Sequence, residues 1–337
     1  MKTSINRIGV LTSGGDAPGM NAALRAVVRT AAFHSIVCIG IYRGYQGLVD
    51  NDVRLMNARS VNNIINKGGT ILKSARCLEF RTKKGRVSAF KTIQKNNIEA
   101  LVIIGGDGSF TGAMIFQSEF NIPVIGIPGT IDNDIFGTSY TIGYDTALNT
   151  VIEAVDKIRD TAISHNRLFF VEVMGRDAGH IALNTGIGAG AEEVLIPEED
   201  MGLERLLESL KRSEKTGKSS SIVIVAEGDK TGKNVFEIAE YVEKNLPYYD
   251  VRVSVLGHMQ RGGSPSCFDR VLASRMGLYA VEALLEGKSN VMVGVKSEKM
   301  ILSPLVKAIK GKSETVSYTH LRAHETVLDL VCRLLLE

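Results

Sequence analysis

The sequence predicts an α/β protein built on mostly parallel sheet, and three observations carry that prediction. Short apolar, β-branched runs recur along the 337 residues, each followed by a polar, glycine-rich turn and then, in most cases, a helical pattern. The runs are nearly continuous in apolar residues, as strands covered on both faces are. Glycine is in excess, 34 of 337 residues, against a usual share of roughly 7%. It has no collagen-like period, so it belongs to particular turns. In sheets covered by helices on both faces, ligands bind outside the carboxyl ends of the strands, which is where these turns fall. At roughly 150 residues per domain the length suggests about two domains.

Taken in order, residues 8–11 form a first strand that opens into Thr12-Ser13-Gly14-Gly15-Asp16-Ala17-Pro18-Gly19, and residues 21–32 place apolar side chains on one helical face. Residues 100–104 lead into Gly105-Gly106-Asp107-Gly108-Ser109 and a helix through about Ser118. Residues 124–127 lead into Pro128-Gly129-Thr130-Ile131-Asp132-Asn133-Asp134, with a helix over 146–161. Strands at 168–173 and 222–225 precede Met174-Gly175-Arg176-Asp177-Ala178-Gly179 and Ala226-Glu227-Gly228. A strand at 253–256 precedes a loop from Gly257 to Pro265 and a helix over 268–285. Gly186-Ile187-Gly188-Ala189-Gly190-Ala191 matches the dinucleotide motif in letters, but it comes before the strand-like residues 194–196 instead of after a strand. That context discounts it. No G-x-x-x-x-G-K-[ST] loop occurs.

Composition narrows the class. Hydrophobic residues at 44% and charged residues at 23% are too apolar for disorder. A net charge of +3, with no run of five like charges, speaks against a nucleic-acid or membrane-surface protein. No stretch approaches 18 consecutive apolar residues, and the N-terminus lacks the apolar core of a signal peptide. Cys38, Cys77, Cys267 and Cys332 have no paired metal-site spacing. A reduced, cytoplasmic enzyme is the simplest setting.

The loops carry the candidate chemistry. Gly14-Gly15 and Gly105-Gly106-Asp107-Gly108 let backbone approach a phosphate at the start of a helix, and Asp107 beside it could hold magnesium through oxygen. The alternative is that glycine-rich turns serve tight packing alone. Asp132 and Asp134, two apart after a strand, would lie on one side of an extended segment and suit phosphoryl transfer; Asp-Asn-Asp is also good turn chemistry. Arg76, Arg167, Arg176, Arg252, His258 and Arg261 recur at loop positions, where converging arginines would bind phosphate. Singly, each is an ordinary surface charge or ion-pair partner.

GVLTSGGDAPGMNA, GGDGS, PGTIDND, EVMGR and LGHMQRGGSP, in this order and spacing, resemble the bacterial ATP-dependent 6-phosphofructokinases from about Ile8 to about Ile309. The resemblance implies two Rossmann-like three-layer α/β/α domains: a larger ATP-binding domain over 1–142 plus 259–312, and a smaller substrate and effector domain over 143–258. It implies fructose 6-phosphate and ATP as substrates, Mg2+ at Asp107, and Asp132 as the base, with Thr130, Asp134 and Arg176 in the catalytic set. Gly15, Arg76, Cys77, Gly106, Asp107, Gly108 and Ser109 correspond to ATP positions. Thr130, Ile131, Asp132, Met174, Gly175, Arg176 and Glu227 correspond to sugar contacts. His258 and Arg261, with Arg167 and Arg252 from a neighbouring subunit, resemble a 6-phosphate clamp, which implies a homotetramer. Arg25, Arg29, Arg159, Gly190, Glu192 and Lys218 match effector positions for ADP or a phosphorylated acid such as phosphoenolpyruvate.

Three departures and branch points matter. Pyrophosphate-dependent relatives carry Asp and Lys where this sequence has Gly108 and Gly129, so ATP is the expected donor. Asp52 stands where many relatives have an effector arginine, with Arg54 two residues on. Residues 316–337 do not resemble the family's C-terminal end and are read as foreign to the domain or disordered. A kinase for another acceptor, such as sedoheptulose 7-phosphate or a tagatose phosphate, is the alternative enzyme. An idle nucleotide-binding subunit is the alternative of another class, although Asp107, Asp132 and Asp134 are all present.

Overall fold

The structure, a computed structural model, describes residues 5–162, 167–199, 202–215, 221–228 and 233–311. Lys218 and residues 316–337 lie outside these. The described chain divides into two compact units, residues 5–147 with 261–311, and residues 148–260.

The first unit holds β1 (Arg7–Thr12), β2 (Val37–Ile41), β3 (Val53–Met56), β4 (Ala100–Gly105), β5 (Val124–Pro128) and, after the chain returns, β10 (Val291–Lys296) and β11 (Lys299–Pro304). They form one sheet in the order β11-β10-β5-β4-β1-β2-β3. The inner pairs are parallel, while β3 and β11 run antiparallel at the edges. β2, β3, β10 and β11 are not among the strands expected from the sequence; the two at the edges do not lead into a glycine-rich turn and helix. The β10–β11 hairpin turns on Ser297 and Glu298, at φ 47° and 64°, the paired left-handed residues that match strand twist.

Helices cover both faces, giving the three layers expected. Leu11, Ile41, Leu101 and Ile103 share a core with residues of α2 (Tyr45–Asp50), α3 (Lys83–Lys95), α4 (Asp107–Phe120) and α10 (Leu305–Lys310). α1 (Met20–Phe33) and α9 (Cys267–Leu285) pack together on the sheet's other side. Because β1 connects to β2 on one flank and β4 lies on the other, the chain reverses its direction of travel between β1 and β4. Their carboxyl ends therefore flank the crevice where such sheets bind ligands.

The second unit is a four-stranded, all-parallel sheet in the order β7-β8-β6-β9, from β6 (Arg167–Val173), β7 (Glu193–Leu195), β8 (Ser221–Ala226) and β9 (Asp250–Val255). α7 (Leu203–Lys215) and α8 (Val235–Asn245) bury Leu206, Leu210, Ile238 and Val242 against it. The discounted glycine stretch closes α6 (His180–Ala189), with Gly190 in the left-handed region at φ 61° and β7 following. It is a helix end. α5 (Tyr144–Ala162) begins in the first unit and continues in the second. Among the described residues no helix is long and apolar enough to cross a membrane.

α4 links the fold to the candidate chemistry, because its first residue is Asp107. Its Phe110 is fully buried beneath Gly126 of β5, where an added Cβ would lie 2.6 Å from the ring. At the far end, Arg86 of α3 donates from Nε and Nη2 to Glu119, both at 2.7 Å. Phe110→Ala is expected to cost about 3–5 kcal/mol by transfer and cavity terms together, read by denaturant unfolding.

His180, the first residue of α6, is pushed down to about 4 by desolvation. The unfolded imidazole titrates near the ordinary 6.5, so between these values the unfolded chain binds the extra proton and stability rises with pH. Acidifying from pH 6.5 to 4 should therefore remove up to about 3 kcal/mol through this group. In His180→Asn that part of the pH dependence should vanish from unfolding curves.

Candidate active site

The loops after β1, β4 and β5 converge within the first unit. Ser13 N donates to Ile104 O at 2.9 Å, and Gly129 N donates to Gly105 O at 3.0 Å. A Cβ on Gly105 would stand 2.4 Å from Ser13 O, so only glycine permits this approach. Gly106 precedes α4 and gives it no side-chain cap, leaving Asp107 in the first turn. First-turn amides and the helix dipole favour an anion there. Gly108 faces open space, with nothing within 4 Å of an added Cβ. Ser109 is buried, and its Oγ lies 3.6 Å from a Cβ placed on Gly14.

Arg76 and Cys77 follow a segment tied to the end of β1: Thr12 Oγ1 donates to Lys73 O at 2.9 Å and meets Thr70 Oγ1 at 2.9 Å. Arg76 is exposed. Cys77 packs against the core on the α2–α3 side, and its thiol is raised, chiefly by desolvation. It stays a protonated packing group, since the thiolate is the reactive form.

Residues 130–134 form a turn. Asn133 sits at φ 53°, so the extended geometry that would carry Asp132 and Asp134 on one side is absent. Asp132 N donates to Thr130 Oγ1 at 3.2 Å, and Asp132 is only 6% exposed. Arg261 Nη2 lies 3.8 Å from Asp132 Oδ1. The same guanidinium occupies the space over Gly15, where an added Cβ would come within 2.6 Å of Nη1. Ile131 is fully buried. A Cβ on Gly106 would meet Thr130 Cβ at 3.8 Å, which brings the turn beside the anion-favouring end of α4.

Among the described residues no three His, Cys, Asp or Glu side chains gather as a metal cage. Mg2+ in enzymes is usually held by one or two carboxylates together with substrate phosphates. Asp107 is the first-turn carboxylate placed to do so.

In the second unit, Met174, Gly175 and Arg176 follow β6 and Glu227 follows β8, both at the carboxyl edge. Glu227 Oε1 accepts from Arg176 N at 2.7 Å, holding Arg176 in its left-handed conformation at φ 57°. Gln260, fully buried, accepts from Met174 N at 3.2 Å and donates to Gly257 O at 3.1 Å. His258 and Arg261 lie on the short turn Gly257–Arg261. Arg167 and Arg252 are not brought to these residues. Both pair with Asp250, at 3.2 and 2.8 Å, near the amino ends of β6 and β9. Seven residues at ~3.3 Å per residue put Arg167 and Met174 roughly 20 Å apart along β6.

Arg25 and Arg29 are successive turns of α1, the first half-buried and the second exposed. Arg159 donates to the carbonyls of Ala189 and Gly190, capping the end of α6. Glu192, buried, accepts from Ile222 N at 2.7 Å. Asp52 accepts from Arg43 Nε at 3.2 Å, and the Arg54 guanidinium lies 4.3 Å from the Tyr42 ring centre. Sequence reasoning sees Asn133 only as turn chemistry and misses Thr141, Gln260 and Asp269; all four are buried polar residues beside the loops. Gln260 lies inside a quoted motif, and Asp269 four residues beyond it. Their burial leaves no mark in the letters.

The phosphofructokinase family model matches residues 7–284. An ATP-dependent 6-phosphofructokinase 2 of Bacteroides thetaiotaomicron is 56% identical over 308 residues, covering 91% of this chain and 94% of its own. An ATP-dependent 6-phosphofructokinase of Bacillus subtilis is 53% identical over 308 residues, covering 91% and 95%. The solved phosphofructokinase of Saccharomyces cerevisiae superposes with a TM-score of 0.87 at 37% identity over 90% of this chain; the chain spans 45% of that longer one. Glycine-tight loops, a helix end open to anions and matched sequence across most of the length agree: this chain belongs to the phosphofructokinase family.

Proposed function

We propose that this protein transfers the γ-phosphoryl group of ATP to the 1-hydroxyl of fructose 6-phosphate, giving fructose 1,6-bisphosphate and ADP, a step of glycolysis. The observation that carries the reading is the meeting of the β1, β4 and β5 loops, which sets the buried Asp132 turn beside the anion-favouring start of α4.

Each residue then has a physical task. The β1 and β4 loops, with Gly15, Gly106, Gly108 and Ser109, receive the donor phosphates through backbone amides. Asp107 would hold Mg2+, which when bound neutralises phosphate charge. Asp132 accepts the proton of the 1-hydroxyl as that oxygen bonds to the γ-phosphorus and the bond to the ADP oxygen breaks. Thr130 and Asp134 orient acceptor and metal, and Arg176 offsets negative charge in transfer. In the second unit Met174, Gly175 and Glu227 recognise the sugar. Glu227 does so with its second oxygen, the first being given to Arg176 N.

Arg167 and Arg252 stand at the other end of β6 and β9 from these groups. That placement supports their serving the 6-phosphate of a neighbouring copy, with His258 and Arg261 supplied by the copy that binds the sugar. The assembly is then a homotetramer. Arg25 and Arg29, set on α1 with one face open, are the positions for an effector such as ADP or phosphoenolpyruvate.

Asp132→Asn should lower kcat by 10²–10⁴-fold, the usual worth of a general base, with the KM for fructose 6-phosphate within about threefold. An assay coupled to fructose 1,6-bisphosphate reads this, and a change confined to KM would overturn the role.

Gly108→Asp should fold normally, because its Cβ enters open space, yet lower kcat/KM for ATP at least about tenfold by repelling donor phosphate (about 1.4 kcal/mol per tenfold). Wild-type activity with pyrophosphate and none with ATP would contradict the donor assignment.

A further inference from the structure

The turn that carries Asp132 has an internal bond, from Asp132 N to Thr130 Oγ1, and is braced from outside as well. Thr141, 1% exposed, grips it from behind by two routes. Its hydroxyl donates to Thr130 O at 2.6 Å, and its backbone N donates to Asn133 Oδ1 at 2.8 Å. Asn133 Nδ2 in turn donates to Ser139 O at 3.3 Å. Thus both residues flanking Ile131 and Asp132 are tied to one strap, residues 139–143, exposed at 139 and 140 and buried from Thr141 onward.

That strap is fixed at its other end. Ile142 N donates to Pro128 O at 2.9 Å, adding a short parallel bridge beside the end of β5. Asp269 of α9, fully buried, accepts from Gly143 N and from Thr146 N, both at 2.8 Å, and from the Thr146 hydroxyl. A carboxylate 126 positions from Gly143 thereby clamps the end of the strap and the first turn of α5.

We propose that Thr141 is a positioning residue for phosphoryl transfer: by fixing the Thr130 carbonyl and the Asn133 side chain, with Asp269 anchoring the strap, it aims the Thr130 hydroxyl and the Asp132 carboxylate at the reacting groups. The inference rests on the kinase reading above. A turn residue at φ 53° and a carboxylate with a side-chain ion-pair neighbour at 3.8 Å both need an external brace to keep one geometry, and alignment errors near 1 Å are costly in transfer reactions. Thr141 contributes no atom to the reaction.

Thr141→Val keeps the shape and removes the hydroxyl, whereas Thr141→Ser keeps the hydroxyl. In steady-state assays with ATP and fructose 6-phosphate, Thr141→Val should lose about 10–100-fold in kcat with both KM values within threefold, while Thr141→Ser stays within threefold of wild type. Active protein is counted as the folded fraction from thermal unfolding, so that simple loss of fold does not pass for loss of turnover. Should Thr141→Val not fold, Thr141→Ala is judged by the same criteria. A kcat per folded enzyme within twofold of wild type, or a Thr141→Ser as impaired as Thr141→Val, overturns the positioning role. Wild-type protein unable to phosphorylate fructose 6-phosphate would instead overturn the kinase reading itself.

Discussion

The architecture of the first unit depends on three backbone segments lying closer than side chains allow. Gly105 stands between the end of β1 and the end of β5: its own carbonyl receives Gly129 N, and Ser13 O occupies the place of its missing Cβ. This contact makes three loops from distant parts of the sequence into one surface. Separating them by a methyl group would move the start of α4 away from the Asp132 turn. Compactness at this point comes from hydrogen bonds and excluded volume, and the apolar layer beneath, with Phe110 seated under Gly126, keeps α4 from drifting.

A second order of support is polar. Glu227 on Arg176 N, Gln260 on Met174 N, Thr141 on Thr130 O and Asp269 on Gly143 N all follow one pattern. In each, a side chain, exposed at Glu227 and buried at Gln260, Thr141 and Asp269, takes up the backbone of a loop at the proposed site. An unmet amide there would cost on the order of 1–3 kcal/mol, so these bonds both stabilise and specify. Asp269 shows the tension in such a design. Burial raises its carboxyl to about 6 against three hydrogen-bond donors that pull it down, and near neutral pH it is charged and useful as an acceptor.

Much of this is legible in the letters, for reasons that can be named. The strands at 8–11, 100–104, 124–127 and 168–173 are readable because they are mostly buried and glycine follows each run within three residues. The Asp132 turn is visible as a cluster but not as a conformation, since Asn133 tolerates both extended and left-handed backbone. Strands β3 and β11 are missed because edge strands carry exposed, mixed residues, as in the half-buried run 299–304. Thr141 and Asp269 are missed because what marks them is the distance between residues 123 or more positions apart, or across a turn, and neither spacing has a periodic signature. Arg167 and Arg252 group with the phosphate residues as cations expected in loops, but both lie in strands, β6 and β9, near the end of the sheet opposite those loops.

The open space over Gly108 has a consequence for how such a protein changes through time. Most positions around the donor loops are locked by neighbours, so an altered residue there would first harm folding and only then be tested for chemistry. Position 108 is different: it is exposed, it lies in the first turn of α4, and an acidic residue suits that end of a helix. On the proposed function, selection can therefore act on phosphoryl-donor preference here without a toll on stability. Of the two positions that separate the donor types, 108 is thus the one open to change with the contacts of the fold kept, whereas a Cβ at Gly129 would stand 3.2 Å from Ile104 and Met20.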